Sequence, residues 1–117
     1  MSEVLPLPAG SPPAGERRRA PRRACRSAAE LNYVPWPDSL GRLGYVLDIA
    51  AEGIGFRAER PLRPGAVLAL QVLRGAPGAS LTRVARVVYC NPQDGGGWRV
   101  GCQVSPPFSP EEVASLL

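Results

Sequence analysis

The sequence contains no histidine and no lysine. The first absence removes the commonest general base and the commonest metal ligand. The second makes every cationic side chain an arginine guanidinium, charged at any biological pH. Cysteine occurs only at Cys25, Cys90 and Cys102, with no CxxC pair and no even set for a disulfide framework, so a reducing compartment is expected. No apolar run approaches the roughly 18 to 20 residues of a membrane-spanning helix, which argues against membrane insertion. In Met1–Gly15 no basic residue precedes an apolar stretch and prolines interrupt it, so it does not read as a secretory signal and a cytoplasmic location is expected. The phosphate-cradling pattern GxxxxGK(S/T) is missing, and no nucleophile stands beside a base. Neither enzyme activity, nor a metal, nor a cofactor is expected.

A chain of 117 residues is long enough to bury the core of one domain and too short for two. Its net charge of +4 conceals an uneven distribution. Residues 16–26, ERRRAPRRACR, hold six arginines and one glutamate, while the remainder carries eight arginines against nine acids. The basic character is therefore one short arm on a nearly neutral body. GC-rich coding accounts for the arginine bias as a whole, together with the 14 prolines and 13 glycines. It does not account for the clustering.

Residues 1–15, MSEVLPLPAGSPPAG, show no periodicity and too little apolar surface to offset ordering entropy, and read as a disordered leader. Residues 16–27 form the arginine arm, mobile without a partner because like charges repel and Pro21 interrupts any helix. From residue 28 the texture changes to short β-like runs separated by turns. Strands are expected at 28–34, 44–49, 54–58, 66–73, 81–90 and 98–104, with Val84 and Val88 among the apolar positions of the fifth. In the last, Trp98, Val100, Cys102 and Val104 share one face. Pro64 and Gly65 suit a turn, and NPQDGGG (91–97) suits a hairpin connection. Ser109, Pro110 and Glu112 form a helix start with a capping box, and Val113, Leu116 and Leu117 give the helix one apolar stripe. Trp36 and Trp98 read as core or rim packing, Cys90 and Cys102 as buried, and Cys25 as a plain small residue. The expected fold is all-β: a six-stranded antiparallel barrel or sandwich over 28–117, with a short C-terminal helix on an open end.

Two features carry chemistry. Arg18 and Arg22 stand four apart in the arm, as do Arg19 and Arg23. A guanidinium fork matches phosphate oxygens and also O6 and N7 of guanine, so such an arm can read a purine nucleotide at phosphate and base. A solvated tail that binds nothing is the alternative. The second feature is Asp48-Ile-Ala-Ala-Glu-Gly53, where the two oxygens of Asp48 can accept from N1–H and N2–H₂ of a guanine and Gly53 permits a backbone path closed to side chains. A plain turn is the alternative there.

Taken together, ERRRAPR (16–22) and DIAAEGIGF (48–56) resemble the two-part signature of PilZ domains, RxxxR followed by (D/N)x(S/A)xxG. The stretches LRPGAVLALQV, RVARVVY and WRVGCQV also fit, so the resemblance runs from Arg17 to Leu117. It implies a six-stranded PilZ-type β-barrel that binds the bacterial second messenger cyclic di-GMP. Position by position, it implies that Arg18 and Arg22 hold phosphate and guanine, that Asp48 meets the guanine edge, and that Gly53 is the motif glycine. Arg17 resembles the residue of members that bind two stacked ligands. Ala50 stands where many members have serine, which removes a hydroxyl hydrogen bond of about 0.5–1.5 kcal/mol, up to about tenfold in affinity. Glu52 replaces a second glycine and sets a negative charge near an anionic ligand, a modest effect if exposed.

The mechanism implied is an order–disorder switch, in which ligand phosphates neutralise the arm and fold it over the barrel beside Asp48. The new surface would then be recognised by an effector protein, not identified by the sequence. The alternative is a PilZ-like adaptor that binds no nucleotide and works by protein contact in type IV pilus assembly or motility. A nucleic-acid partner is not expected, because the body beyond the arm offers no basic stripe.

Overall fold

The computed structural model describes residues 23–24, 29–73 and 80–117. Its strands are β1 (Arg23–Ala24), β2 (Glu30–Pro35), β3 (Arg42–Ala50), β4 (Gly53–Ala58), β5 (Val67–Leu73), β6 (Ser80–Pro92) and β7 (Trp98–Ser105), followed by the helix α1 (Pro110–Ala114). Every pairing is antiparallel. The six long strands run β3-β2-β5-β6-β7-β4, and β4 pairs back onto β3 to close the barrel. Closure removes the exposed edges that an open sheet would offer to other chains.

Alternation decides which side chains go inside. In β5, Leu68, Leu70 and Val72 are buried while Val67, Ala69, Gln71 and Leu73 face out. Leu31 and Tyr33 of β2, Ile54 and Phe56 of β4, and Val100 and Cys102 of β7 complete the same interior. The Tyr33 and Phe56 rings meet with centroids 5.1 Å apart. Each fully buried aliphatic or aromatic side chain contributes roughly 1.5–3 kcal/mol relative to exposure, so this interior dominates stability.

Two packing expectations need correction, those for Trp36 and Cys90. Val84 and Val88 face outward and are more than half exposed, since Leu81, Ala85 and Val87 take the inward positions of β6. A register shift between Val87 and Tyr89 leaves Val88 as the extra residue. Trp36 is 79% exposed, because it sits in the turn after β2 where the Asp38 N–H donates to the Pro35 carbonyl. Trp98 is partly buried at the start of β7, and Cys102 is fully buried. Cys90 is only partly buried, and its sulfur accepts the Leu62 N–H at 3.4 Å.

The arm also departs from expectation at one point: its residues Arg23 and Ala24 are a strand, β1, paired with Ile49 and Asp48. β2 pairs with β3 only over residues 42–45, so the far half of that edge would otherwise be bare. Residues 1–15, the rest of the arm and Cys25 lie outside the described residues.

The C-terminal segment is held by a compact polar cluster. Ser109 Oγ accepts the Glu112 N–H at 3.1 Å and Glu112 Oε1 accepts the Ser109 N–H at 2.8 Å, the reciprocal capping box. The same Oε1 accepts Arg83 Nη2 at 2.6 Å, and Arg83 Nε donates to the Pro106 carbonyl at 2.8 Å. The Arg83 guanidinium also lies 4.8 Å from the Phe108 ring centroid. Leu116 is buried in the core, and Val113 and Leu117 pack against it.

Candidate functional site

The motif aspartate lies in one register row that crosses five strands. Ala24 of β1, Asp48 of β3, Gly55 of β4, Gly101 of β7 and Tyr89 of β6 are successive cross-strand partners. Ile49, Ile54, Val100 and Cys102, which alternate with members of this row, point into the core, so the row belongs to the outer face. Asp48 is nonetheless only 8% exposed. A register shift between Val46 and Asp48 bends β3 at this point.

Two bare backbones make room for the row. A Cβ at Gly55 would stand 2.8 Å from Asp48 Oδ1 and 3.2 Å from its Cγ, so the carboxylate rests directly on β4. A Cβ at Gly101 would fall on the edge of the Tyr89 ring, which covers β7 in the same way. Asp48 and Tyr89 thus flank a strip of two strands that has no side chains of its own in that row.

Arg99 spans the strip. It stands on β7 two residues before Gly101, and its Nη2 reaches across β4 to donate to Asp48 Oδ2. Burial pulls the Arg99 guanidinium down, but its interaction with the Tyr89 hydroxyl and the Asp48 charge outweigh this and hold its pKa above the ordinary value. The Arg99 side chain keeps 36% of its exposure while the Asp48 side chain keeps 11%. The Arg99 side chain is the more accessible of the two.

The other motif residues of the barrel lie one step along the sheet. Ala50 is buried and pairs with Gly53, which in turn pairs with Gln103. The described glycines of positive φ are Gly65 and Gly95–Gly97, whereas Gly53 opens β4 within the ladder. Glu52 is exposed at the β3–β4 turn, and its carbonyl accepts the Val104 N–H at 3.0 Å. Arg17, Arg18 and Arg22 lie outside the described residues. The structure therefore brings Asp48, Ala50 and Gly53 together and adds Arg99, Tyr89, Gly55 and Gly101, which sequence reasoning did not name. Strand alternation in WRVGCQV does put Arg99 opposite Val100, on the outer face. Only the register shows that it meets Asp48.

A hollow of about 800 Å³ lies elsewhere, between the β2–β3 connection and Glu59–Arg60, lined by Tyr33, Leu40, Arg42 and Tyr45 among others. It contains none of the motif residues. Among the described residues no group of three or more cysteine, aspartate or glutamate side chains could hold a metal ion, and no helix is long and apolar enough to cross a membrane.

The model of the PilZ domain family matches residues 16–117. Curated protein sequences yield no match. Among solved structures, the chain is similar to the PilZ domain with c-di-GMP of YcgR from Escherichia coli, at 17% identity and a TM-score of 0.64, covering 86% of each chain. It is also similar to the Bacillus subtilis inhibitor of motility MotI/DgrA, again at 17% identity and a TM-score of 0.64. That match covers 91% of this chain and 53% of the other, so this chain spans about half of MotI. At such identities the likeness is one of fold.

Proposed function

This chain belongs to the PilZ domain family, and from that premise we propose that it is a receptor module for cyclic di-GMP that passes the signal on by protein contact. The observation that carries the reading is the pairing of Ala24 with Asp48, which brings the end of the arginine arm to the strand edge beside the motif aspartate. Arg22 immediately precedes β1, and Arg18 stands six residues before Ala24. At no more than about 3.6 Å per residue, both can reach a dinucleotide lying at Asp48.

Each residue then has a task. Arg18 and Arg22 grip phosphate oxygens and the O6/N7 edge of a guanine, for which a planar fork of donors is suited. Asp48 accepts from N1–H and N2–H₂. Gly53 and Ala50 carry the β3–β4 turn beneath the ligand, with no hydroxyl from Ala50. Glu52 is exposed, so its charge is well screened from the ligand phosphates. Arg17 offers a further guanidinium for a second, stacked ligand molecule. The output is a new surface, composed of arm and ligand, that an effector protein recognises. No reaction is involved.

One observation favours the second reading, an adaptor that binds no nucleotide: the Asp48 carboxylate is already paired with Arg99. Calorimetric titration with cyclic di-GMP separates the two. Saturable heat, with one or two ligands per chain, supports the receptor. No heat at tens of micromolar protein supports the adaptor.

A further inference from the structure

We propose that the outer face of β2, β5 and β6 is a self-complementary docking surface for a second copy of this chain, in which Trp36 of each copy stacks on the Arg86 guanidinium of the other. The inference is independent of the receptor reading. Around the closed barrel β5 lies three strands from β4 in either direction, so its outer face points away from the site at Asp48 and Gly55.

Register sets two rows across these three strands. In the first, Val67 stands between Trp36 and Arg86: the Trp36 N–H donates to the Val67 carbonyl at 2.8 Å, and Val67 pairs with Arg86. In the second, Ala69 stands between Val34 and Val84. Leu68 and Leu70, which alternate with Val67 and Ala69, are buried, so both rows face outward. Trp36, Val67, Ala69, Val84 and Arg86 are all exposed, and Val34 is half-buried. A contiguous apolar face of this kind, bounded by the polar and uncharged row Asn32, Gln71 and Thr82, marks an interaction surface.

The order along the rows selects the occupant. A two-fold axis parallel to β5 that lays one such face on another exchanges the two ends of each row and keeps its centre in place. The first row then sets Trp36 against Arg86 of the other copy, and Arg86 against its Trp36. A guanidinium over an indole face is an attractive cation–π pair, and the symmetry forms it twice. The second row sets Val34 against Val84 and Ala69 against Ala69. A methyl group at the axis lets the two sheets approach to the usual separation of about 10 Å. The long side chains of Trp36 and Arg86 can bridge such a gap at the ends of their row. Neither row contains an acid, so within the face the answer to Arg86 is the indole. Each end of the first row carries what the opposite end requires, a match that an unrelated surface would have to reproduce.

Sedimentation velocity of the full wild-type chain, from a few to several hundred micromolar, should show a concentration-dependent shift from monomer to dimer. Position 69 tests the axis, because its outward side chain meets its own copy there. Ala69→Glu and Ala69→Arg should each stay monomeric where the wild type dimerises, since like charges then face each other. Mixed in equal amounts, the two variants should dimerise again. Arg86→Glu should weaken the dimer about tenfold or more, and an unchanged dissociation constant refutes the stacked pair. A wild-type chain that stays monomeric throughout leaves the face to an unrelated protein and overturns the proposal. Dimers of wild-type strength in Ala69→Glu place the contact elsewhere, and mixed variants that stay apart move the axis away from Ala69; either result overturns it equally. Should the Ala69 variants fail to fold, Trp36→Ala serves in their place, because that side chain is exposed in a turn and takes no part in the core. Its dimer should be weakened about tenfold or more, and one of wild-type strength refutes the assignment.

Discussion

Asp48 Oδ1 lies so close to the backbone of Gly55 that a methyl group there would stand 2.8 Å from it, which makes the motif aspartate and a glycine of the next strand one unit. Gly55→Ala is therefore expected to displace the carboxylate while leaving the barrel intact, since the atoms in conflict belong to one side chain on the outer face. Cyclic di-GMP binding should weaken about tenfold or more, equivalent to roughly 1.4 kcal/mol. The cost in stability should stay near 1–3 kcal/mol, the scale of local overpacking. Calorimetry and urea unfolding of the same sample check both. Unchanged affinity would remove Asp48 from the site.

Gly101 and Tyr89 make the corresponding pair at the other end of the row. A Cβ at position 101 would fall on the Tyr89 ring edge, so Gly101→Ala should destabilise the domain by about 1–3 kcal/mol through forced displacement of the ring. Adding Tyr89→Ala should restore part of that loss, because the two substitutions share one contact and cannot be additive. A double-mutant cycle by chemical denaturation measures the coupling. Strict additivity would mean that the ring moves aside without cost.

The arm carries the most direct test of the receptor reading. Arg18→Ala or Arg22→Ala should each weaken cyclic di-GMP binding by about 1.5–3 kcal/mol, the range for hydrogen bonds to charged groups. The melting temperature should not change, because both residues precede β1 and the barrel core lies after it. Ala50→Ser acts in the opposite direction: affinity should be unchanged or rise by up to about tenfold as the hydroxyl is restored. Wild-type affinity in either arginine variant would show that the arm does not hold the ligand.

The fold was legible in this sequence because period-two alternation and turn residues are local signals. The runs around Leu68–Val72 and Trp98–Val104 announce their inward faces, and Pro64–Gly65 and Gly95–Gly97 announce their turns, each with a glycine at positive φ. The capping box at Ser109 and Glu112 is equally local. Legibility ended where register or long-range coverage decides. The extra, outward-facing residue Val88 depends on a bulge in β6, the exposure of Trp36 on a turn, and β1 on a bare stretch of β3 edge. Asp48 stood out as a motif residue, but its pairing with Arg99 joins positions 51 residues apart across an intervening strand, and no spacing rule reports it.

Acid stability follows from the C-terminal cluster. The Ser109 backbone N–H most of all, against the opposing effect of burial and with help from the hydrogen bond and charge of Arg83, holds the Glu112 carboxyl below its ordinary pKa of 4.5. A carboxylate with a depressed folded-state pKa binds fewer protons when folded than when unfolded. Its stabilising contribution is thus complete above about pH 4.5 and disappears as pH falls through the lower, folded value. Glu112→Gln keeps the shape and the cap acceptor but not the charge. The wild-type chain should exceed it in stability at neutral pH, and the two should converge below pH 4.5. Ser109→Ala should cost about 0.5–2 kcal/mol through the lost N-cap, with a further loss where Glu112 is ionised because the carboxylate then has one ordered neighbour fewer. Thermal melts of the three chains from pH 3 to pH 7 measure these differences. A stability gap between wild type and Glu112→Gln that stayed constant across that range would assign the effect to packing and not to charge.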